Sequence, residues 1–339
     1  MKFSKTFLKN KTILVTGGTG SFGQLFVSHI IKNFKQIKKI IVFSRDELKQ
    51  FEMSEKFPEK KFPKIRYFLG DLRDKDRIYR ALDDVNIVVH AAALKQVPKA
   101  EYDPFEYIKT NIMGSQNLIE ACLDKKVENV IALSTDKAVT PINLYGATKL
   151  CAEKLFIAAN NIKGWKKIKF SVVRYGNVVG SRGSVIPYFI KQKEKGYLTI
   201  TDEKMTRFNM KLEEAVQMVL WSLNKNAGGE IFIPKLPSYR ILDLAKAVDK
   251  NCKIKIVGKR PGEKLDEELI TIQETANCYD LGKYYSVVSN PDSQLNKLYS
   301  KKYKKIKRKI SYTSGNNDQF LDVTEIRKLI IDFSRKNNA

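Results

Sequence analysis

The stretch TILVTGGTGSFG, residues 12–23, decides how the rest of the chain is read. An apolar, β-branched run ends in a glycine-rich turn, and a helical pattern follows from about Gly20 to Lys35. Strand, glycine turn and helix in that order open a dinucleotide-binding βαβ unit. Gly17 and Gly20 permit the tight turn and the close approach of a pyrophosphate, and Gly23 lets the helix lie against the strand. The helix N-terminus offers amide donors and partial positive charge to phosphate. Thr16, Gly17, Thr19, Gly20, Ser21, Phe22 and Gly23 are therefore candidate cofactor contacts.

Working outward, strand-like runs recur at KIIVFS (39–44), RYFLG (66–70), NIVVHA (86–91), NVIALS (129–134) and KFSVVRYG (169–176). Helical patterns separate them, one carrying NLIEACL and one opening near Tyr145. This succession predicts an α/β fold, a Rossmann-type doubly wound parallel sheet. After about residue 180 the pattern loosens into GGEIFIP (228–234), ILDLAKAVDK (241–250) and a closing helix at VTEIRKLIIDFS (323–334). The expected organisation is a cofactor-binding domain over 1–180. A smaller mixed α/β substrate lobe with a C-terminal tail, over 181–339, is interleaved with it. There are no internal repeats.

The end of the second strand selects the cofactor. NAD sites place an acidic residue about 20 residues past the glycines, on the ribose 2′-hydroxyl. Here Ser44 and Arg45 stand at that point, which suits a 2′-phosphate and favours NADP. Asp46 is adjacent, so NAD is the less favoured alternative. In GDLRD (70–74), Asp71 and Leu72 either flank the adenine or Asp71 caps a helix. Ala91 and Ala92, after the fourth strand, leave room for the cofactor.

Composition narrows the function classes. The 339 residues are 43% hydrophobic, enough for a sizeable core. No apolar stretch reaches the 18 or so residues of a membrane helix, and MKFSKTFLKNK has no signal-peptide core, so a cytoplasmic protein is expected. Cys122, Cys151, Cys252 and Cys278 are widely spaced, and the histidines are His29 and His90. Neither a metal site nor a Ser-His-Asp triad is indicated, and His90 in IVVHAAA reads as a hydrogen-bonded core histidine. The net charge of +25 raises nucleic-acid or membrane-surface binding. The lysines are spread along the chain, however, with one dense run at SKKYKKIKRK (300–309). A solvated basic face that attracts an anionic substrate such as a sugar nucleotide is the preferred reading.

The chemistry concentrates in STDKAVTPINLYGATKL (134–150). Tyr145 and Lys149, four apart, share one helix face. Asp136 and Lys137 follow directly on a strand, so two pairs of proton-handling groups point at one place.

The glycine motif, the alanines after the fourth strand and Tyr145-x-x-x-Lys149 together resemble the extended short-chain dehydrogenase/reductase superfamily. LSTDKAVTPINLYGATKL, SVVRYGNVVGSRGSVIP (171–187), TDEKMTRF (201–208) and KRPGEKLDEEL (259–269) sharpen this. They resemble the soluble, inverting UDP-N-acetylglucosamine 4,6-dehydratases of pseudaminic acid and capsular sugar pathways. The resemblance implies a net hydro-lyase reaction with a tightly bound, recycled NADP. Tyr145, its pKa lowered by Lys149 and the positive nicotinamide ring, takes the 4-hydroxyl proton while C4 is oxidised. The C5 proton then becomes acidic. Lys137 removes it as a neutral amine, which calls for a depressed pKa, and Asp136 protonates the departing C6 hydroxyl. The resemblance also implies inversion at C5.

Thr135 is expected on substrate or cofactor, and Lys95 and Gln96 in the sugar-side loop. Asn177, Arg182, Arg207, Arg260 and Glu263 are candidates for the uridine diphosphate end, where arginine forks suit phosphate. Gln96 and Asp266 stand where many relatives have histidine, and Asn111 matches a bracing asparagine. The resemblance further implies a homo-oligomer, a hexamer being one form. Two readings compete with the dehydratase. A UDP-hexosamine 4-epimerase needs Tyr145 and Lys149 but not Asp136 and Lys137. A non-enzymatic Rossmann-type sensor or nucleic-acid binder needs neither pair.

Overall fold

The computed structural model describes residues 6–179, 185–290, 293–307 and 310–337. Its centre is a ten-stranded sheet. Six strands come from the N-terminal half: β1 (Thr12–Thr16), β2 (Lys39–Ser44), β3 (Ile65–Leu69), β4 (Ile87–His90), β5 (Asn129–Thr135) and β6 (Lys169–Tyr175). They lie side by side in the order β3-β2-β1-β4-β5-β6, all parallel. Their sequences are nearly continuous apolar runs because helices cover both faces of the sheet, as β1, buried at all five positions, shows. Strand order reverses between β1 and β4, the switch point at which open α/β sheets form a crevice beyond their strand ends. The α/β doubly wound fold expected from the sequence is the fold observed.

The chain past residue 180 divides itself. Glu230–Pro234 joins the same sheet parallel to β6, with Val172 opposite Ile231. Tyr284–Val288 pairs antiparallel with it, and Cys278–Asp280 and Lys304–Lys305 complete that edge. The remainder builds a second, smaller core. Helices Val185–Lys193, Ile241–Val248 and Val323–Asn337 contribute Phe189, Leu244 and Ile326, which pack with Leu198 and Ile200.

A buried ion cluster ties the late segments to the sheet. Arg174 of β6, 2% exposed, donates to Glu153 (3.0 and 2.6 Å), to both Glu274 carboxylate oxygens (3.0 Å each) and to the Leu269 carbonyl (2.9 Å). Glu153 lies on helix Leu144–Ile162, one turn beyond Lys149. Arg174 thus joins that helix to strand Glu268–Ile270 and the turn of helix after it.

Candidate active site

The C-terminal ends of β1, β2, β4, β5 and β6 open into one cleft of about 1260 Å³. Gly17 turns the chain with φ +65°, and a Cβ there would lie 2.8 Å from the Ala92 amide nitrogen, so only glycine fits. Helix Ser21–Asn33 starts at Gly20 with no capping side chain, leaving its first amides turned to the cleft. Gly17, Thr19, Gly20, Ser21, Phe22, Gly23, Ala91 and Ala92 all line it. Thr16 does not. It is wholly buried, and its hydroxyl meets His90 Nδ1 at 2.8 Å and accepts from the Ala92 amide. His90, also touched by Ser115, is a hydrogen-bonded core histidine, pushed down to about 3 by burial and the Lys149 cation.

Ser44, Arg45, Asp71 and Leu72 line the other end of the same cleft, together with Asp46 and Lys49. Asp46 is already engaged: it caps helix Glu47–Lys56 by accepting from the Lys49 amide at 3.0 Å, and it pairs with the Lys49 ammonium. Asp71 takes both prongs of Arg73 (3.0 and 2.7 Å) and lies 3.9 Å from Arg45. The following helix is capped by Asp74, not Asp71.

The second half of the site hangs on β5. Its last residue, Thr135, leads into a single 3₁₀ turn, Asp136–Ala138. Helix Leu144–Ile162 then begins, capped by Asn143, which accepts from the Gly146 amide at 2.8 Å. A Cβ on Gly146 would sit 2.1 Å from the Lys137 carbonyl oxygen, so this glycine lets the helix press against the turn. The four-residue spacing points Tyr145 and Lys149 into the cleft beside Asp136 and Lys137. Lys149 Nζ donates to the Leu133 carbonyl at 2.7 Å. Asn111, on a π-helical turn Ile108–Met113, bonds both the amide and carbonyl of Leu94 (2.9 Å each) and Thr148 (3.0 Å). It braces the loop at Leu94 to helix Leu144–Ile162.

The electrostatics differ from the sequence expectation at two residues. Lys137 Nζ stands 3.1 Å from Asp136 Oδ1 and 3.1 Å from Glu267 Oε1. Burial pulls its pKa down, but these two carboxylates more than offset it and hold it above the ordinary lysine value, not below. Tyr145 is pushed up to about 12 by burial, and the cation that chiefly opposes this is Lys137, not Lys149. Lys149 itself is lowered to about 8 by burial. Asp136, completely buried, is raised by burial and by Glu267 against the pull of Lys137.

Glu267 is the group that the sequence reading missed. It lies within KRPGEKLDEEL, but its partner Lys137 is far away along the chain, so only the fold brings them together.

At the substrate end, Lys95, Gln96, Thr135, Asn177, Arg207, Arg260 and Glu263 line the cleft. Asn177 Oδ1 is buried with no hydrogen-bond partner among the described residues. Arg207 is spent largely on its own framework, donating to the carbonyls of Thr206, Lys264 and Leu265 and lying 3.7 Å from Glu267. Glu263 accepts from the Arg260 amide at 3.1 Å and closes that turn. Asp266 is absent from the cleft wall and accepts from the Thr206 hydroxyl, so its exchange for histidine does not alter the cleft surface. Arg182 lies outside the described residues.

A family model described as polysaccharide biosynthesis protein matches residues 13–289. The chain belongs to this family. Within it, a Campylobacter jejuni protein named UDP-N-acetylglucosamine 4,6-dehydratase (inverting) is 50% identical over 329 residues, 94% of this chain and 97% of its own length. A Rickettsia bellii protein named UDP-glucose 4-epimerase is 45% identical over 332 residues, 95% of this chain and 96% of its own. The X-ray structure of Pen from Bacillus thuringiensis matches with a TM-score of 0.88 at 38% identity, covering 97% of this chain and 99% of that one. The resemblance read from the sequence, to the inverting UDP-N-acetylglucosamine 4,6-dehydratases, is borne out by the Campylobacter jejuni relative.

Proposed function

We propose that this chain is an NADP-dependent, inverting UDP-N-acetylglucosamine 4,6-dehydratase. Its product would be the UDP-linked 4-keto-6-deoxy L-arabino sugar that begins pseudaminic acid or related surface-sugar synthesis. One observation carries the reading: Asp136 and Lys137 are hydrogen-bonded to each other in the same cleft wall as Tyr145 and Lys149. Oxidation at C4 needs only the second pair. Elimination across C5 and C6 needs an acid and a base in addition, and the first pair supplies both.

The glycine cradle under Ala92 and the uncapped helix fit a dinucleotide. A nicotinamide bound there supplies a reversible hydride acceptor and, when oxidised, a positive charge. Tyr145 takes the proton of the 4-hydroxyl. Lys149 fixes the catalytic helix to β5 through the Leu133 carbonyl and contributes a cation whose charge is poised close to neutrality. Lys137 takes the C5 proton, and Asp136 protonates the C6 hydroxyl as it leaves. Asn177, with its unsatisfied carbonyl oxygen, and Arg260, exposed in the cleft wall, are placed for the nucleotide end. NADP over NAD is supported by Ser44, Arg45 and Lys49 around the ribose end, and by Asp46 being used as a helix cap. A cytoplasmic homo-oligomer accords with the resemblance and with the absence of any membrane-length apolar helix among the described residues.

The test is an NMR time course with UDP-N-acetylglucosamine in D2O without added cofactor. The expected result is a new C6 methyl signal with deuterium at C5. The 4-epimerase reading has one specific support, the name of the Rickettsia relative. A C4-epimerised sugar without any methyl signal would establish it and overturn the dehydratase.

A further inference from the structure

Two buried carboxyls flank a single lysine at the heart of the cleft, and only one has a task in the elimination. Asp136 is 0% exposed and Glu267 2%. Each offers one oxygen to Lys137 Nζ at 3.1 Å. Each also has a second oxygen, Asp136 Oδ2 and Glu267 Oε2, with no hydrogen-bond partner among the described residues. They differ in what lies behind them. Glu267 Oε1 is 3.7 Å from the Arg207 guanidinium, which the carbonyls of Lys264 and Leu265 hold in place. Behind Asp136, among the described residues, stands the Thr135 hydroxyl, donating at 2.9 Å. Charges of alternating sign therefore follow one another from contact to contact: Asp136, Lys137, Glu267, Arg207.

We propose that Glu267 is a positioning residue of the elimination, a fixed anion anchored by Arg207 that keeps protons on the Asp136–Lys137 pair. Asp136, and not Glu267, is then the carboxyl that delivers a proton to the leaving hydroxyl. This rests on the dehydratase reading. Two carboxyls this close do not ionise independently, and the one beside a permanent cation takes the charge. The directions agree: Glu267 is lowered by Lys137 and Arg207 in spite of burial, whereas burial and Glu267 raise Asp136.

The proton inventory then closes. Lys137 passes one ammonium proton to Asp136 across their 3.1 Å hydrogen bond, an N–H breaking as an O–H forms, with no change in the net charge of the four groups. The resulting amine takes the C5 proton. The C5–H electron pair forms the C5–C6 double bond, the C6–O bond breaks, and the oxygen leaves with the Asp136 proton as water. Lys137 is an ammonium and Asp136 a carboxylate again, the starting charge state.

Glu267→Gln keeps the shape and removes the anion. The other charged or titratable groups facing the pair are Arg207, Lys264, Lys95, Tyr145 and Tyr239, and all stay in place. An anion near both groups raises both proton affinities, so its loss lowers both. The expected result is that both limbs of the pH–rate profile for methyl formation move to lower pH, by on the order of one unit. A slower reaction with unmoved limbs would mean a merely structural role and would overturn the proposal, as would an unchanged profile. NMR titration of the Asp136 carboxyl and Lys137 amine, in wild type and E267Q without substrate, gives an independent reading. Midpoints that fall in E267Q support the fixed-anion role even if the wild type forms no methyl product and the dehydratase reading fails. Unmoved midpoints sink it whatever the reaction proves to be.

Discussion

In the proposed reaction Lys137 would separate dehydration from plain oxidation at C4. It touches Asp136 and Glu267, whereas Lys149 bonds the Leu133 carbonyl. Lys137→Gln should therefore separate the steps. Mixing the cofactor-loaded variant with UDP-N-acetylglucosamine should still reduce the nicotinamide, read by absorbance near 340 nm, though more slowly, since Tyr145 loses the cation that chiefly opposes its raised pKa. Methyl formation and C5 deuteration should fall by roughly 10²–10⁴, the usual contribution of a positioned base. Equal loss of both signals would remove Lys137 from the C5 step. That the four proposed proton-handling residues share one cleft was legible locally, because Asp136-Lys137 and Tyr145-x-x-x-Lys149 are short patterns tied to one strand end and one helix face. Their charge states were not. A depressed Lys137 follows from burial alone, and the reversal comes from Asp136 together with Glu267, the second of which no spacing rule connects to residue 137.

Among the elements, the π-helical turn Ile108–Met113 is where the site is braced. Such turns interrupt ordinary helices frequently at functional sites. Here the turn carries Asn111, whose amide satisfies both backbone groups of Leu94 and reaches Thr148 on the catalytic helix. Asn111→Leu would strand a backbone N–H and C=O, at about 1–3 kcal/mol for each buried group left unpaired. A lower thermal unfolding midpoint is expected, with losses in both nicotinamide reduction and dehydration, since loop and helix shift together. An unchanged midpoint would show that the brace contributes nothing. The parallel strands and their helices were readable because buried βα units leave long continuous apolar runs. Cys278–Asp280 and Tyr284–Val288 were not, being short segments that become strands only by pairing at the antiparallel edge, the latter beside Glu230–Pro234.

At the scale of the whole molecule, a chain with a net charge of +25 carries a cleft proposed for a dianionic ligand. Long-range steering of that kind is screened within a Debye length of about 8 Å at physiological salt. kcat/KM for the sugar nucleotide should fall as sodium chloride rises, while kcat changes little. A salt-independent kcat/KM would reduce the basic surface to a matter of solubility. The sheet also has a consequence in time. Synthesis proceeds from the N-terminus, and domains fold as they emerge. β1 to β6, with the glycine cradle, are complete by Tyr175, but β6 stays an open edge until Glu230–Pro234 arrives, and Lys137 lacks its second counter-ion until residue 267. A chain still on the ribosome would thus finish the strand ends that form the proposed nucleotide cleft, together with all four proposed proton handlers, before the anion that helps set the charge of Lys137 has been made.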